Sequence, residues 1–586
     1  MNYARRTRRR MTLAVIGLVA VVALFAVRLV DIQVVQADQL QTEAAGKRSI
    51  TSLVYGARGD IVDANGVALA STVERYDITA SPKISIIPQK KVVDGKRVDV
   101  SRDDQIAQLS TATGVSVADI TAALNKDTKS DFTYIAKDMT LDVRNAVKAL
   151  KINWVYPVAH PGRTYPLGAV AGNIVGFIGT DGPQAGLELA EDSCIASSNG
   201  SQTYERGEDG VRLPDSTVTT KAAKNGGTLE LTINSDFQWF VQQTIAEAAE
   251  QYQAQWATAV VVRVKDGAVM AMADYPSVDP NNVNGVDKDS LGAKSLTENY
   301  EPGSTFKAMT AAMLLNEHKI TQTTPISAPP VLKVGGGYIK DVFSHPTMNW
   351  TTTGVLVNSS NIGISILSEN LSKAKREAYM KKFGIGSRTA INFGGQGSGS
   401  LTPSAKWDPI TTKAVAFGQG VSATSAQVAG IFQTLGNGGV RMPLKLISGC
   451  RQADGTLTDV PSNTGIPVVS KTAARQTVDM LENVVTQGGL SSVLTIPGYN
   501  VAAKTGTAQV AKAGGGGYGS DRVVSVAGLV SGDNPQYAVV VTLGKPKINK
   551  TSAAAAPAFH TIMSQVIKTF RVKPSTTPVP DLPATW

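Results

Sequence analysis

Two hairpin signatures stand far apart in this chain with a long, mostly helical stretch between them, which narrows the possible folds sharply. The first joins 259–264 to 268–273 through Lys265-Asp266-Gly267; the second joins 523–530 to 537–543 through Ser531-Gly-Asp-Asn-Pro535. Strands at both ends of a region and helices between them predict an α+β domain built on one antiparallel sheet. A helix over 236–252 opens that domain. Ahead of it, 51–235 reads as short strands and turns with one helix over 103–112. There Asp63-Ala-Asn65-Gly66 makes a turn, and 216–227 is a loop before a strand over 228–233. At 586 residues, two or three domains are expected.

The net charge of +10 is concentrated rather than spread. Arg5, Arg6, Arg8, Arg9, Arg10 and Arg28 lie in the first thirty residues, which hold no acid, so only +4 belongs to the rest of the chain. That distribution argues against nucleic acid as a partner and marks orientation instead. Residues 11–27 carry no charge. Extended past Arg28, the run nearly reaches across a hydrocarbon core of about 30 Å at about 1.5 Å per helical residue. Arginines before it stay on the cytoplasmic side and send the remaining chain outward. A cleaved signal peptide is the competing reading, but its candidate site, Val35-Gln-Ala37, lies far beyond the apolar run, which favours an uncleaved anchor. Cys194 and Cys450 are the only cysteines, and nothing in the sequence decides whether they pair. Four scattered histidines and no Cys-x-x-Cys give no reason to expect a metal or another cofactor.

Three short motifs then occur in order: Ser304-Thr-Phe-Lys307, Ser359-Ser-Asn361 and Lys504-Thr505-Gly506-Thr507. Ser304 follows Pro302-Gly303 and begins a run of strong helix formers, so its hydroxyl stands at a helix N-terminus, where backbone N–H groups favour developing negative charge. Lys307 falls one turn later on the same face, a helix-surface lysine whose truncation would cost little stability. Ser359-Ser-Asn361 follows an apolar segment. The stretch 501–510 alternates like a strand, and Gly506 would let a substrate backbone lie along its edge while Thr505 and Thr507 bind a carboxylate. Each motif has bland decoys or a bland reading when taken alone. Ser372-Lys-Ala-Lys375, Ser197-Ser-Asn199 and Ser368-Glu-Asn370 repeat the spacings without the context.

The ordered set is an established signature of penicillin-binding proteins and serine β-lactamases, and the chain resembles the class B, monofunctional, high-molecular-weight penicillin-binding proteins, with a composition that looks actinobacterial. The resemblance extends through Arg58-Gly59-Asp-Ile61, Arg163-Thr-Tyr165-Pro166, Gly176-Phe177-Ile-Gly179, Gly186-Leu187-Glu188, Tyr300-Glu-Pro-Gly303, Phe417-Gly-Gln-Gly420 with Gln427, and Pro557-Ala-Phe559. It departs at Asn234, where the family usually has Asp, and over 192–216.

The resemblance implies a transpeptidase domain of the penicillin-binding and serine β-lactamase type, its antiparallel sheet flanked by helices. A β-rich pedestal and one N-terminal transmembrane helix would precede it. The expected division is a basic tail at 1–10, an anchor at 11–30, stalk and pedestal at 31–235, the transpeptidase domain at 236–573 and a disordered proline-rich tail at 574–586. Arg58 and Glu188 are expected to pair structurally. The implied reaction is D,D-transpeptidation of peptidoglycan stem peptides ending in D-Ala-D-Ala, with Ser304 as nucleophile and Lys307 as a base made neutral by burial and by Lys504. Ser359 would relay a proton, Asn361 would bind the substrate amide, and Thr505, Gly506 and Thr507 would line the substrate site. The backbone N–H groups of Ser304 and Thr507 would form the oxyanion hole. β-Lactams would trap Ser304, and a SEDS-family glycosyltransferase would be the membrane partner. A D,D-carboxypeptidase and a β-lactam-binding scaffold remain compatible with the same residues. A class A β-lactamase lacks support without a Glu-x-x-Leu-Asn element, as does a bifunctional enzyme without Glu-Asp-x-x-Phe.

Overall fold

The computed structural model describes residues 3–586 apart from 41–42, 44–48, 94–95, 180, 206–212, 513–516 and 531–533. The first three residues of the predicted 531–535 turn therefore lie outside the described residues. The chain forms two compact units, Met1–Ala57 with Ser197–Asn225, and Arg58–Ala196 with Gly226–Trp586.

In the first unit a single α-helix, Tyr3–Val30, takes in the arginine cluster as well as the apolar run and continues as a π-helical turn, Asp31–Val35. It is long and apolar enough to cross a membrane. Three antiparallel strands complete the unit: Ser49–Val54, Gly200–Glu205 and Val218–Lys221. The last lies within the segment expected to be a loop, and its side chains are all exposed.

The second unit contains the anticipated antiparallel sheet. Its order is Val269–Tyr275, Trp256–Arg263, Tyr537–Gly544, Tyr518–Val530, Val501–Ala511. Its central strands are apolar at nearly every position because helices cover both faces. Ala257, Ala259 and Val261 turn toward one core with Phe237 and Phe559, from helices Ser235–Gln251 and Ala556–Thr569. Val260 and Val262 belong to the other core with Met309, Ile431 and Leu481, from helices Lys307–Asn316, Ser425–Gly436 and Lys471–Gln487. Alternation with period two thus joins two hydrophobic cores through one sheet.

The region before residue 235 holds more helix than the sequence reading allowed. Besides Arg102–Thr113 there are Val117–Asn125 and Leu141–Ala149, packed with Ile78, Leu109, Ile120, Leu124 and Trp154 against the strands Ala68–Ala80, Thr133–Met139 and Val155–Thr164. Ser101, Ser116 and Thr140 cap these helices by accepting backbone N–H groups three residues on. The first two are Ser-x-x-Asp starts readable in the sequence.

No sheet boundary falls at 235. Strand Thr228–Leu231 pairs in parallel with Ile61–Val62 and antiparallel with Ile447–Arg451, and a Cys194–Cys450 disulfide closes the same junction. Asn234 caps the helix Ser235–Gln251, its Oδ1 2.8 Å from Phe237 N, so amide replaces carboxylate without loss of the cap. Arg58 and Arg163 grip the fully buried Glu188 carboxylate, each at 2.7 Å. The tail at 574–586 is ordered, contrary to expectation. Its prolines cannot donate backbone hydrogen bonds, but its carbonyls accept them, and Leu582 packs against the larger core.

Candidate active site

Ser304 sits in a single 3-10 turn, Gly303–Phe306, that runs directly into the helix Lys307–Asn316. Gly303 has φ +57°, a conformation that favours glycine, and its N–H donates to Gly418 O at 3.0 Å. This holds the turn against the Phe417-Gly-Gln-Gly420 segment. Lys307 is not a surface residue: it is fully buried on a helix buried at every position but its last, Asn316.

The Lys307 Nζ lies 2.9 Å from Ser304 Oγ, 2.5 Å from Ser359 O, 2.8 Å from Asn361 Oδ1 and 3.2 Å from Ser359 Oγ. Lys504, also fully buried, places its Nζ 2.9 Å from Ser359 Oγ. Burial holds Lys307 well below the ordinary lysine range, and the neighbouring Lys504 charge adds to the shift, while Asp341 opposes it. Burial alone brings Lys504 down to about 7. A neutral amine has two N–H bonds and one lone pair. The Ser359 and Asn361 oxygens accept the two hydrogens, which leaves the lone pair for the Ser304 hydroxyl proton.

Ser359 adopts φ +54° just after the helix Thr352–Val357, which turns both its hydroxyl and its carbonyl toward Lys307. What fixes this loop was absent from the sequence reading. Asp341 Oδ1 accepts the N–H groups of Asn361 (2.5 Å) and Ile362 (3.0 Å), and its Oδ2 accepts the Ser360 hydroxyl (2.6 Å). His345 Nε2 lies 3.0 Å from Oδ2, and both side chains are buried. A carboxylate at the start of helix Asn361–Ser368 also suits the helix dipole. The Asn361 amide donates from Nδ2 to Lys340 O at 3.1 Å, consistent with Oδ1 facing Lys307. Asp341 follows no motif spacing; an acid twenty residues before Asn361 was its only trace. Glu301 is a second omission, accepting Gly420 N–H at 2.9 Å and the Tyr518 hydroxyl at 3.1 Å.

Lys504, Thr505, Gly506 and Thr507 lie on the sheet's edge strand, with Thr505 and Thr507 half-buried on one face. The glycine has a reason beyond the one expected. A Cβ on Gly506 would stand 2.5 Å from Ser525 Oγ and 3.0 Å from both Pro302 O and Thr305 Cγ2, so glycine admits the neighbouring strand and the nucleophile turn. The three motifs thus converge. The decoys do not join them: Ser372 caps a helix while Lys375 pairs with Glu317, and Asn199 accepts the Gly56 N–H.

Comparison with known proteins agrees with this fold. The family profile for the penicillin binding protein transpeptidase domain matches residues 257–564, and that for the penicillin-binding protein dimerisation domain matches 53–231. Penicillin-binding protein PbpB of Mycobacterium tuberculosis is 34% identical, the alignment covering 98% of this chain and 87% of that protein. Peptidoglycan D,D-transpeptidase FtsI of Escherichia coli K12 is 30% identical over 93% of this chain and 89% of its own. Among solved structures, penicillin-binding protein 3 of M. tuberculosis complexed with ampicillin superposes with a TM-score of 0.71 at 28% identity, covering 91% of this chain and all of that one. The chain therefore belongs to the penicillin-binding protein transpeptidase family. Its members among these relatives are of the PbpB and FtsI kind.

Proposed function

We propose that this protein is a peptidoglycan D,D-transpeptidase working through a Ser304 acyl-enzyme. The observation that carries the assignment of roles is the position of the buried Lys307 Nζ, 2.9 Å from Ser304 Oγ and within hydrogen-bond distance of Ser359 O and Asn361 Oδ1. Ser304 Oγ attacks the carbonyl carbon of the penultimate D-Ala while its proton passes to Lys307 Nζ. The backbone N–H groups of Ser304 and Thr507 receive the oxyanion. The C–N bond to the terminal D-Ala then breaks. The departing nitrogen takes a proton from Ser359 Oγ, which Lys504 Nζ, 2.9 Å away, replenishes. In the second half-reaction an amine of another stem peptide attacks the ester and gives up a proton through Ser359 Oγ to Lys504 Nζ, the new amide forms as the Ser304 ester bond breaks, and Oγ recovers its proton from Lys307 Nζ. Asn361 Nδ2 holds the substrate amide, and Thr505 and Thr507 hold its terminal carboxylate alongside Gly506. β-Lactams enter as D-Ala-D-Ala mimics that acylate Ser304.

The apolar helix supports a membrane anchor, and the arginine cluster before it supports an N-terminus in the cytoplasm with the catalytic domain outside. The functional division is an anchor at 11–30, a pedestal to about 235 and a catalytic domain from 236. A SEDS-family glycosyltransferase is the partner we assign to the anchor and pedestal.

Incubation with a D-Ala-D-Ala stem pentapeptide and an amine acceptor tests the reaction. Release of D-Ala with a joined product is expected. Release without a joined product would make the protein a carboxypeptidase, and no release from folded protein would leave the scaffold reading.

A further inference from the structure

The segment after the last helix of the catalytic domain connects the elements that carry two of the three motifs. At its beginning it binds the foot of the Lys504 strand. Ser575 N–H donates to Gly498 O (3.0 Å), Asn500 N–H to Ser575 Oγ (2.9 Å), and Asn500 Nδ2 to Thr577 O (2.9 Å). Midway it crosses the helix Lys471–Gln487. There the buried Asn483 donates to Pro580 O (2.9 Å) and accepts Leu582 N–H (3.2 Å), and Gln487 Nε2 donates to Leu582 O (3.0 Å). At its far end it lies along the strand Met348–Thr351, with Thr585 bridged antiparallel to Trp350.

That far end meets the root of the Ser359 arm. Thr351 donates its N–H to Ala584 O (3.1 Å) and its hydroxyl to Pro583 O (2.6 Å). Thr351 is also the N-cap of Thr352–Val357, the helix that delivers Ser359. Within that helix a Cβ on Gly354 would stand 1.8 Å from Ala584 O, so the helix and the segment fit only with glycine there. Pro574, Pro578, Pro580 and Pro583 restrict φ along the segment and lower the entropy lost on docking.

We infer that residues 574–586 are a positioning strap that ties the Lys504 strand to the Ser359 arm and so holds Lys504, Ser359 and Lys307 in register for acylation. The inference rests on the roles proposed above for those three residues. It assigns the strap no contact with substrate. Its work is to keep the 2.9 Å separation between Lys504 Nζ and Ser359 Oγ. Without the strap the arm is free to move outward, water enters beside Lys307, and the Lys504 charge recedes from it. Both changes raise the pH at which Lys307 becomes neutral.

The test uses the whole chain in detergent, wild type against a truncation after Val579, with a fluorescent penicillin. Acylation is expected to slow by about 10- to 100-fold, the range for a small misplacement of catalytic groups. The acid limb of the acylation–pH profile is expected to move to higher pH, a shift that mere loss of folded protein does not produce. Hydrogen exchange over residues 351–362 is expected to accelerate. Wild-type rate with an unmoved acid limb in the truncated protein would overturn the inference. Should the truncation fail to fold, Asn483→Ala, which cuts two strap bonds and keeps the tail, carries the same readouts. A moved limb then supports the strap and an unmoved limb overturns it. If wild-type protein forms no adduct at all, the roles assigned to the motif residues fail. Hydrogen exchange at 351–362 then decides the strap separately, unchanged protection overturning it.

Discussion

Two buried lysines that face one serine hydroxyl are costly, and that cost is the chemistry. Their depressed pKa values mean that between about pH 7 and the ordinary lysine range the unfolded chain binds more protons than the folded one. Stability must therefore rise with pH across that window, by at most about 1.4 kcal/mol per unit for each lysine. Lys504→Met is expected to flatten this rise in thermal melts taken from pH 7 to 9. An unchanged slope would mean that Lys504 is charged throughout. The same substitution removes the charge that helps keep Lys307 neutral, so any residual acylation should show its acid limb at higher pH. Asp341 acts one layer out, with the Ser360 hydroxyl, two backbone N–H groups and His345 Nε2 converging on its two oxygens. Asp341→Asn keeps the volume and removes the charge. We expect acylation to slow by about tenfold, a barrier increase of about 1.4 kcal/mol, measured by stopped-flow with a chromogenic β-lactam. A wild-type rate would reduce the residue to a helix cap. Nothing in the sequence marked Asp341, because its role is set by a fold-back across twenty residues rather than by a local spacing.

At the level of elements, the legible parts were those with strong local patterns. The hairpins, the helix run after Ser304 and the alternating strand around Lys504 each carry a period that packing on the two faces of one sheet then enforces. The illegible parts depended on distant partners. Gly506 was read only as making room for substrate, but its missing Cβ also makes room for Ser525 on the neighbouring strand and for Pro302 and Thr305, some two hundred residues earlier in the chain. Lys307 was read as a helix-surface lysine made neutral by burial; it is fully buried, on a helix that is itself buried from Lys307 to Leu315. The helices Val117–Asn125 and Leu141–Ala149 were passed over although Ser116 and Thr140 stand at their caps. The tail looked unstructured because proline-rich composition is judged without knowing what lies beside it. Gly506→Ala tests the corrected account: pushing the edge strand off the nucleophile turn is expected to cut acylation about 100-fold and to lower the melting temperature. Normal acylation with altered peptide affinity would leave Gly506 the substrate-facing role alone.

Across the whole molecule, the Cys194–Cys450 bridge closes a long loop at the junction where Thr228–Leu231 joins the strand Ile447–Arg451. Both cysteines are buried. Replacing both cysteines by alanine is expected to lower unfolding free energy by about 2–5 kcal/mol in denaturant titration while leaving the acylation rate of folded protein unchanged. A lost rate at full folding would show that the junction controls the site. The central claim is that Ser304 forms the acyl-enzyme. The most direct measurement is to incubate the protein with a fluorescent penicillin, digest it, and locate the label by mass spectrometry. A stable adduct on the peptide containing Ser304, absent from Ser304→Ala, is the predicted result. A label on any other residue, or none on folded wild-type protein, would contradict it.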